Sequence, residues 1–154
     1  MPKASAATWA FRSSTSQHIS VQLFRKLNCP SFTSTERDAP LYTEEVVEVF
    51  IDPIGDGESY FEIEVNPLNA VLDLVLRRNR SGWARNFAWN CEGFESRVDK
   101  ADGTWIVDMK IPFSSLVSEL PRTGSRWRAN FCRIDRLTEG ARELSAWSST
   151  GGES

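Results

Sequence analysis

Histidine, cysteine and methionine are scarce in this chain, at one, three and two residues, and what they could have built is excluded early. His18 is the one imidazole and no Ser/His/Asp set is evident around it, and neither a GxSxG nor an HExxH motif is present. Cys29, Cys91 and Cys132 show neither CxxC nor Cys/His spacing, which argues against a zinc site and a paired framework and leaves at most one disulfide within the chain. Charge of one sign is also missing: the formal net charge is −3 and there is no basic run or basic amphipathic stripe, so neither nucleic acid nor a membrane surface is an expected partner. No stretch approaches the ~20 apolar residues of a membrane span. Lys3 is not followed by an apolar run of the kind a signal peptide needs, so no export signal is read. A chain of 154 residues suffices for one domain with a sizeable core.

Aromatic residues are plentiful: six Trp, nine Phe and two Tyr. Large rings either fill a β core or form flat binding platforms. The chain is organised around Leu41 to Asn66, LYTEEVVEVFIDPIGDGESYFEIEVN. Val47, Val49 and Ile51 alternate with Val46, Glu48 and Phe50, and Phe61, Ile63 and Val65 alternate with Tyr60, Glu62 and Glu64. Successive strand side chains point to opposite faces, so this pattern predicts a hairpin with one apolar and one carboxylate-bearing face. Pro53 ends the first strand, and Gly55, Asp56 and Gly57 allow the reversal.

Residues 1–18 read as a frayed tail or weak edge strand. Ile19, Val21 and Leu23 alternate as a strand, 33–40 reads as a polar linker, and Val71 to Leu76 reads as a strand apolar on both faces apart from Asp73. RRNRSG at 77–82 reads as a solvated basic loop, and the section holding Trp83, Phe87, Trp89 and Phe94 as loop-rich. Further strands are expected at Trp105–Ile111, Trp127–Cys132 and Glu143–Trp147, with a short helical turn begun by Ser114 or Ser115, and a disordered end at 150–154. Many short strands with regular turn signals predict an all-β antiparallel sandwich, immunoglobulin-like or jelly-roll-like, with at most one short helical turn.

EVVEVFIDP, YFEIEVNP, WIVDMKIPFSSL, WRANFCRIDR and SAWS, in that order, resemble the family 9 carbohydrate-binding modules over residues 35–149. The resemblance assigns 1–34 to a tail and weak first strand, and 35–149 to a β-sandwich that holds a saccharide or polysaccharide without transforming it. It implies polysaccharide catabolism, a catalytic domain on another chain as a partner, and a secreted or periplasmic setting. Sugars offer C–H faces for stacking and hydroxyls for hydrogen bonds, which is why aromatics and carboxylates suit them. Alignment places Tyr42, six residues before Glu48, and Trp147 at the family's two clamp aromatics. Glu48 falls at an acid beside the ligand, Asn66 at an asparagine, and Glu64 where the family often carries arginine. Arg133 lies in the RID segment and is the expected guanidinium bridge to Glu48, Glu62 and Glu64.

Each assignment has a plainer counterpart. Trp147 and Tyr42 could simply pack, Asn66 could make the turn before Pro67, and Trp105 and Trp127 read as core, with Trp83 and Trp89 as reserve platform candidates. The alternative function is glycoside hydrolysis, or service as an accessory domain to it, with Glu62 and Glu64 as an acid/base pair ~7 Å apart along one strand. No cofactor is expected. The weak exception is structural calcium, an ion that members of the family can carry, at Asp52, Asp56 and Glu58, where an acidic turn is the plain reading. A haem site would need Met109 and His18, and Met109 falls on an apolar strand face.

Overall fold

A computed structural model of the chain describes residues 17–26, 32–136 and 142–149, with backbone alone at 24–26. The strands in chain order are β1 (His18–Lys26), β2 (Val46–Asp52), β3 (Ser59–Val65), β4 (Val71–Asn79), β5 (Gly82–Asn86), β6 (Glu95–Ala101), β7 (Thr104–Pro112), β8 (Arg128–Arg136) and β9 (Arg142–Ala146). They form a three-stranded sheet, β1-β7-β6, and a six-stranded sheet, β5-β4-β3-β2-β8-β9. Every pairing is antiparallel. Helical structure among the described residues is limited to a 3₁₀ turn at Leu41–Thr43 and a single turn, α1, at Phe113–Leu116. The fold is therefore an all-β antiparallel sandwich.

The inward faces of the two sheets make the main core. Val47, Val49, Ile51, Ile63, Val65, Val71 and Phe131 meet Val21, Leu23, Trp105, Val107, Met109 and Ile111 across the gap. Met109 is thus a packing residue, 3% exposed. Trp105 is 1% exposed, and its indole N–H donates to Glu45 Oε1 at 3.0 Å, which satisfies the ring's polar atom inside the core. Trp127 is half-buried, its ring edge-on to Phe113. A second apolar cluster lies on the outward face of the larger sheet, where Leu41 covers Val46, Ala70, Leu72, Leu74, Leu76 and Ile134. That patch explains why Val71 to Leu76 reads as apolar on both faces: each face has its own cover.

β1 pairs along its whole length with β7 and supplies Val21 and Leu23 to the core, so the sandwich includes His18–Lys26, ahead of the span from Thr35. Residues 1–16 and 150–154, where a tail and a disordered end are expected, lie outside the described residues. The expected basic loop at 77–82 is a hairpin: Arg77, Arg78 and Asn79 continue β4, Gly82 begins β5, and Asn79 Oδ1 accepts the Ser81 N–H at 2.8 Å. The loop-rich reading of the following section misses the rest of β5, and the strand β6 after it has no counterpart in the sequence reading. β5 is exposed throughout, and β6 carries Val98 as its one large apolar side chain, so neither shows the alternation that marks a half-buried strand.

Candidate carboxylate and aromatic site

The hairpin of β2 and β3 closes in the register that its alternation requires, with Glu48 opposite Glu64 and Phe50 opposite Glu62. Directly opposed side chains stand ~5 Å apart at Cβ. Three carboxylates therefore share one small area of the outward face, and oxygens of Glu48, Glu62 and Glu64 lie within 4.8 Å of one another. Glu48 is 8% exposed and Glu64 only 1%. Like charges so close, and so poorly solvated, favour the protonated forms. Burial, and secondarily Glu62, push Glu48 up to about 7. Burial, and then the charges of Glu48 and Glu62, push Glu64 up to about 10. Glu62 is also raised by burial, with its hydrogen bond to Glu64 and the guanidinium of Arg85 acting in the opposite sense. The backbone N–H of Tyr42 lowers Glu64, and Arg142 lowers Glu48, each against the larger effect.

Around this cluster the same face carries rings. Phe50 meets Tyr60 edge-on at 5.9 Å between centroids, and Tyr60 meets Trp83 at 5.0 Å. Trp83 is 40% exposed, and Tyr42, on the 3₁₀ turn, is 44% exposed. Cys132 stands opposite Glu48 on β8, and burial followed by the charges of Glu48 and Glu62 pushes its thiol up to about 12. Arg85 on β5 is in register with Leu76, which is opposite Tyr60, so its guanidinium is on the carboxylate side of the sheet.

Tyr42, Glu48 and Glu64 are thus brought together, with Glu62 joining them. Asn66 is adjacent in sequence but fully buried: its Oδ1 accepts the Leu68 and Ala70 amides, and its Nδ2 donates to Ser34 O and Glu44 Oε2. It fastens the turn, as its place before Pro67 suggests. Arg133 does not bridge the carboxylates. It is in register with Val47, on the core-side parity, and pairs instead with Asp135 and, at 3.5 Å, with Glu143. Trp147 is 60% exposed, and its ring packs at 5.6 Å on Phe131, a member of the inter-sheet core. Its ring therefore sits at the rim of the core side, whereas Tyr42 follows Leu41 on the outward side.

At the hairpin turn Asp52 accepts the amides of Ile54, Gly55 and Gly57, Asp56 accepts that of Glu58, and Glu58 lies 3.7 Å from Arg78. These contacts occupy the acidic turn with its own backbone. Trp89 packs on Phe61 at 4.8 Å, against the main core. Phe50, Tyr60, Arg85 and Arg142 are the members of the site that sequence reasoning passes over. The signal for Phe50 and Tyr60 is present in the hairpin, since both share parity with the glutamates. For Arg85 it is the turn pair Ser81–Gly82, which announces β5.

The fold is a known one. A crystal structure of a Bacteroides uniformis protein, whose description proposes that it binds carbohydrate, superposes with a TM-score of 0.59 at 17% identity over 89% of this chain. The chain spans 65% of that protein's length. Two structures of a family 9 carbohydrate-binding module from Caldicellulosiruptor kristjanssonii, one with cellotriose and one with glucose, align over 90% of this chain and 70% and 72% of theirs, each with a TM-score of 0.47 and 17% identity. No family model matches the sequence, and no curated protein matches it.

Proposed function

We propose that this chain binds saccharide without transforming it, on the outward face of the six-stranded sheet. The observation that carries the reading is the juxtaposition of exposed Tyr42 and Trp83 with the glutamate cluster on one face. Rings supply a surface for the C–H face of a pyranose, and carboxyl groups accept or donate hydrogen bonds to its hydroxyls. The fold's likeness to a structure described as a proposed carbohydrate binder agrees with this but does not specify the site.

The geometry favours binding over hydrolysis. Paired carboxylates in glycoside hydrolases flank the scissile bond at ~5–5.5 Å or ~6.5–9.5 Å. Here oxygens of Glu62 and Glu64 come within 4.8 Å and share a hydrogen bond, leaving no space between them for a glycosidic oxygen. Trp147 stands outside this face, so a clamp formed by Tyr42 and Trp147 is the less favoured arrangement.

Titration with a panel of soluble oligosaccharides is expected to change tryptophan fluorescence through Trp83 and to release no reducing ends. Trp83→Ala and Tyr42→Ala should each weaken binding by about tenfold, the size of one stacking contact. Binding that survives both substitutions but is lost in Trp147→Ala would move the site to the other side of β8. Hydrolysis abolished by Glu62→Gln would replace binding by catalysis.

A further inference from the structure

We infer that the inward face of the β4–β5 hairpin is a second saccharide site, one that takes a sugar unit bearing a single oxyanion group, a carboxylate or a sulfate ester. It is separate from the outward face that carries Trp83 and the glutamates. On β4, Val75 and Arg77 share parity with Val71 of the main core, and on β5 Asn86 and Ala84 stand opposite them in register. With Arg85 and Trp89, these residues line a cleft of about 260 Å³, which opens to solvent along exposed Arg77, Ala84 and Asn86. Sites for drug-sized ligands measure ~300–1,000 Å³, so this cleft suits one sugar ring rather than a length of chain.

Charge around the cleft is of one sign. Residues 77–86 hold four arginines and no acidic residue, in a chain whose formal net charge is −3. Arg85 acts on Glu62 from the outward face, and Arg78 lies 3.7 Å from Glu58. Arg77 and Arg80 have no carboxylate within ion-pair distance among the described residues, and of these two it is Arg77 that lines the cleft. A guanidinium holds its N–H donors in one plane, a fork that matches two oxygens of a carboxylate or a sulfate. The other groups suit the rest of a sugar. Asn86 Oδ1 accepts the Ala88 N–H at 3.1 Å, which fixes the amide and leaves its NH₂ to donate to a ring hydroxyl. Trp89 is half-buried with its ring resting on Phe61 at 4.8 Å, and Val75 is 6% exposed, so ring and floor offer apolar surface to the C–H face of a pyranose.

The cleft fits this ligand better than other anions. A bare inorganic anion would use Arg77 and leave Trp89 and Val75 without a role. A nucleic-acid strand asks for a positive groove that follows its backbone and for a succession of stacking rings, whereas this cleft has one ring and one guanidinium at its opening. Because Arg77 is exposed, a neutral sugar of the same shape loses one charge pair and strands no buried charge, so it binds more weakly rather than not at all.

The test compares oligogalacturonate with the same chains after reduction of their carboxyl groups to alcohols, and with a sulfated oligosaccharide, by titration followed in the NMR signals of the Trp89 indole N–H and the Asn86 side-chain amide. The uronate or the sulfated chain is expected to bind about tenfold more tightly than the reduced one at low salt. Most of that advantage should vanish between ~10 mM and ~1 M NaCl, as the screening length falls from ~30 Å to ~3 Å. Arg77→Gln, at an exposed position, should bring the ratio to about one and leave binding of a neutral glucan at the outward face unchanged. A stronger response to the uronate assigns the carboxylate and the reverse order assigns the sulfate ester, and either result supports the inference. Equal affinity for the charged and reduced chains, or a preference untouched by Arg77→Gln, overturns it and leaves the outward face standing. A single-stranded oligonucleotide that binds more tightly than any of these chains and is lost in Arg77→Gln would make the hairpin a nucleic-acid contact, and overturns it as well.

Discussion

Glu64 is a residue whose cost to the fold depends on pH. Its carboxyl is raised to about 10 and that of Glu48 to about 7, chiefly by burial, while in the unfolded chain both titrate near 4.5. Between those limits the folded state holds more protons than the unfolded one, so stability falls as pH rises above ~4.5, and it goes on falling through 7 and toward 10. Thermal unfolding should therefore show a higher Tm at pH 5 than at pH 8.5. Glu64→Gln, which removes the charge and keeps the shape, should flatten this dependence and raise stability at pH 8.5 by ~1 kcal/mol or more, about 2–4 °C in a domain of this size. A Tm that climbs with pH over this range would contradict the burial of the cluster. Asn66 makes the opposite case. Four hydrogen bonds end on its amide in a fully buried setting, so Asn66→Ala should destabilise by ~2–3 kcal/mol in chemical denaturation, while Asn66 itself offers a saccharide nothing. Loss of affinity in an Asn66→Ala protein of undiminished stability would return this residue to the site.

Among the elements, the segment from 32 to 45 runs as a strap from the small sheet toward the hairpin, and polar contacts hold it. Glu44 accepts the backbone and hydroxyl groups of Thr33 and Ser34, which lowers its carboxyl below the ordinary value despite the opposing effect of burial. Arg37 reaches across to the fully buried Asp73 at 2.6 Å, where the Cys91 amide donates at 3.0 Å to the same oxygen. Breaking such a pair from the exposed side leaves a carboxylate in the core, a loss of ~3 kcal/mol. Arg37→Ala should show this in its denaturation midpoint, and Arg37→Ala with Asp73→Asn should recover a good part of it. Equal stability of the single and double variants would mean that solvent already reaches Asp73. This strap carries Tyr42 to the carboxylates, so its anchoring bears on the site as well as on the fold.

How much of this was readable beforehand differs from element to element. The register of β2 and β3, and the convergence of Glu48, Glu62 and Glu64, follow from parity within two short strands, because a one-residue slip would turn the glutamates into the core between the sheets and the core valines to the outward face. The face of Arg133 depends on the register between β8 and β2, distant in sequence, and that register places it opposite Val47. Trp147 and Arg142 are set by β9, an exposed edge strand that no apolar alternation marks. β5 and β6 lack that alternation too; the turn pair Ser81–Gly82 is the one local mark of β5, and with β5 comes Arg85, a counter-charge of the site. Local pattern reveals the carboxylates; the face and register of their partners are set by pairings between strands and not by alternation within one.

For the molecule as a whole, the decisive question is where the folding unit starts. The family likeness covers 35–149 and leaves β1 outside it, yet β1 is one edge of the three-stranded sheet and fills the core with Val21 at 5% and Leu23 at 1% exposure. Without β1, the small sheet is reduced to β6 and β7, and a two-stranded ribbon is at best marginal as a cover for the larger sheet. Two aliphatic side chains lost from the core amount to ~3–6 kcal/mol, and the hydrogen bonds of the β1–β7 register, from His18 opposite Pro112 to Lys26 opposite Thr104, go with them. That sum is comparable with the entire stability of a domain, ~5–15 kcal/mol. A chain shortened to begin at Thr35 should accordingly show no cooperative thermal transition and should expose Trp105 to solvent, with red-shifted fluorescence, whereas one that begins at Gln17 should unfold cooperatively. The exchange of backbone amides gives the same contrast with higher resolution. In the longer chain, Val107 and Met109 of the central strand β7 should be among the most slowly exchanging amides, since β7 is paired on both sides. Cooperative unfolding of the shortened chain, with Val107 and Met109 still protected, would show that the larger sheet and the β6–β7 ribbon suffice, and that β1 is an accessory edge rather than part of the folding unit.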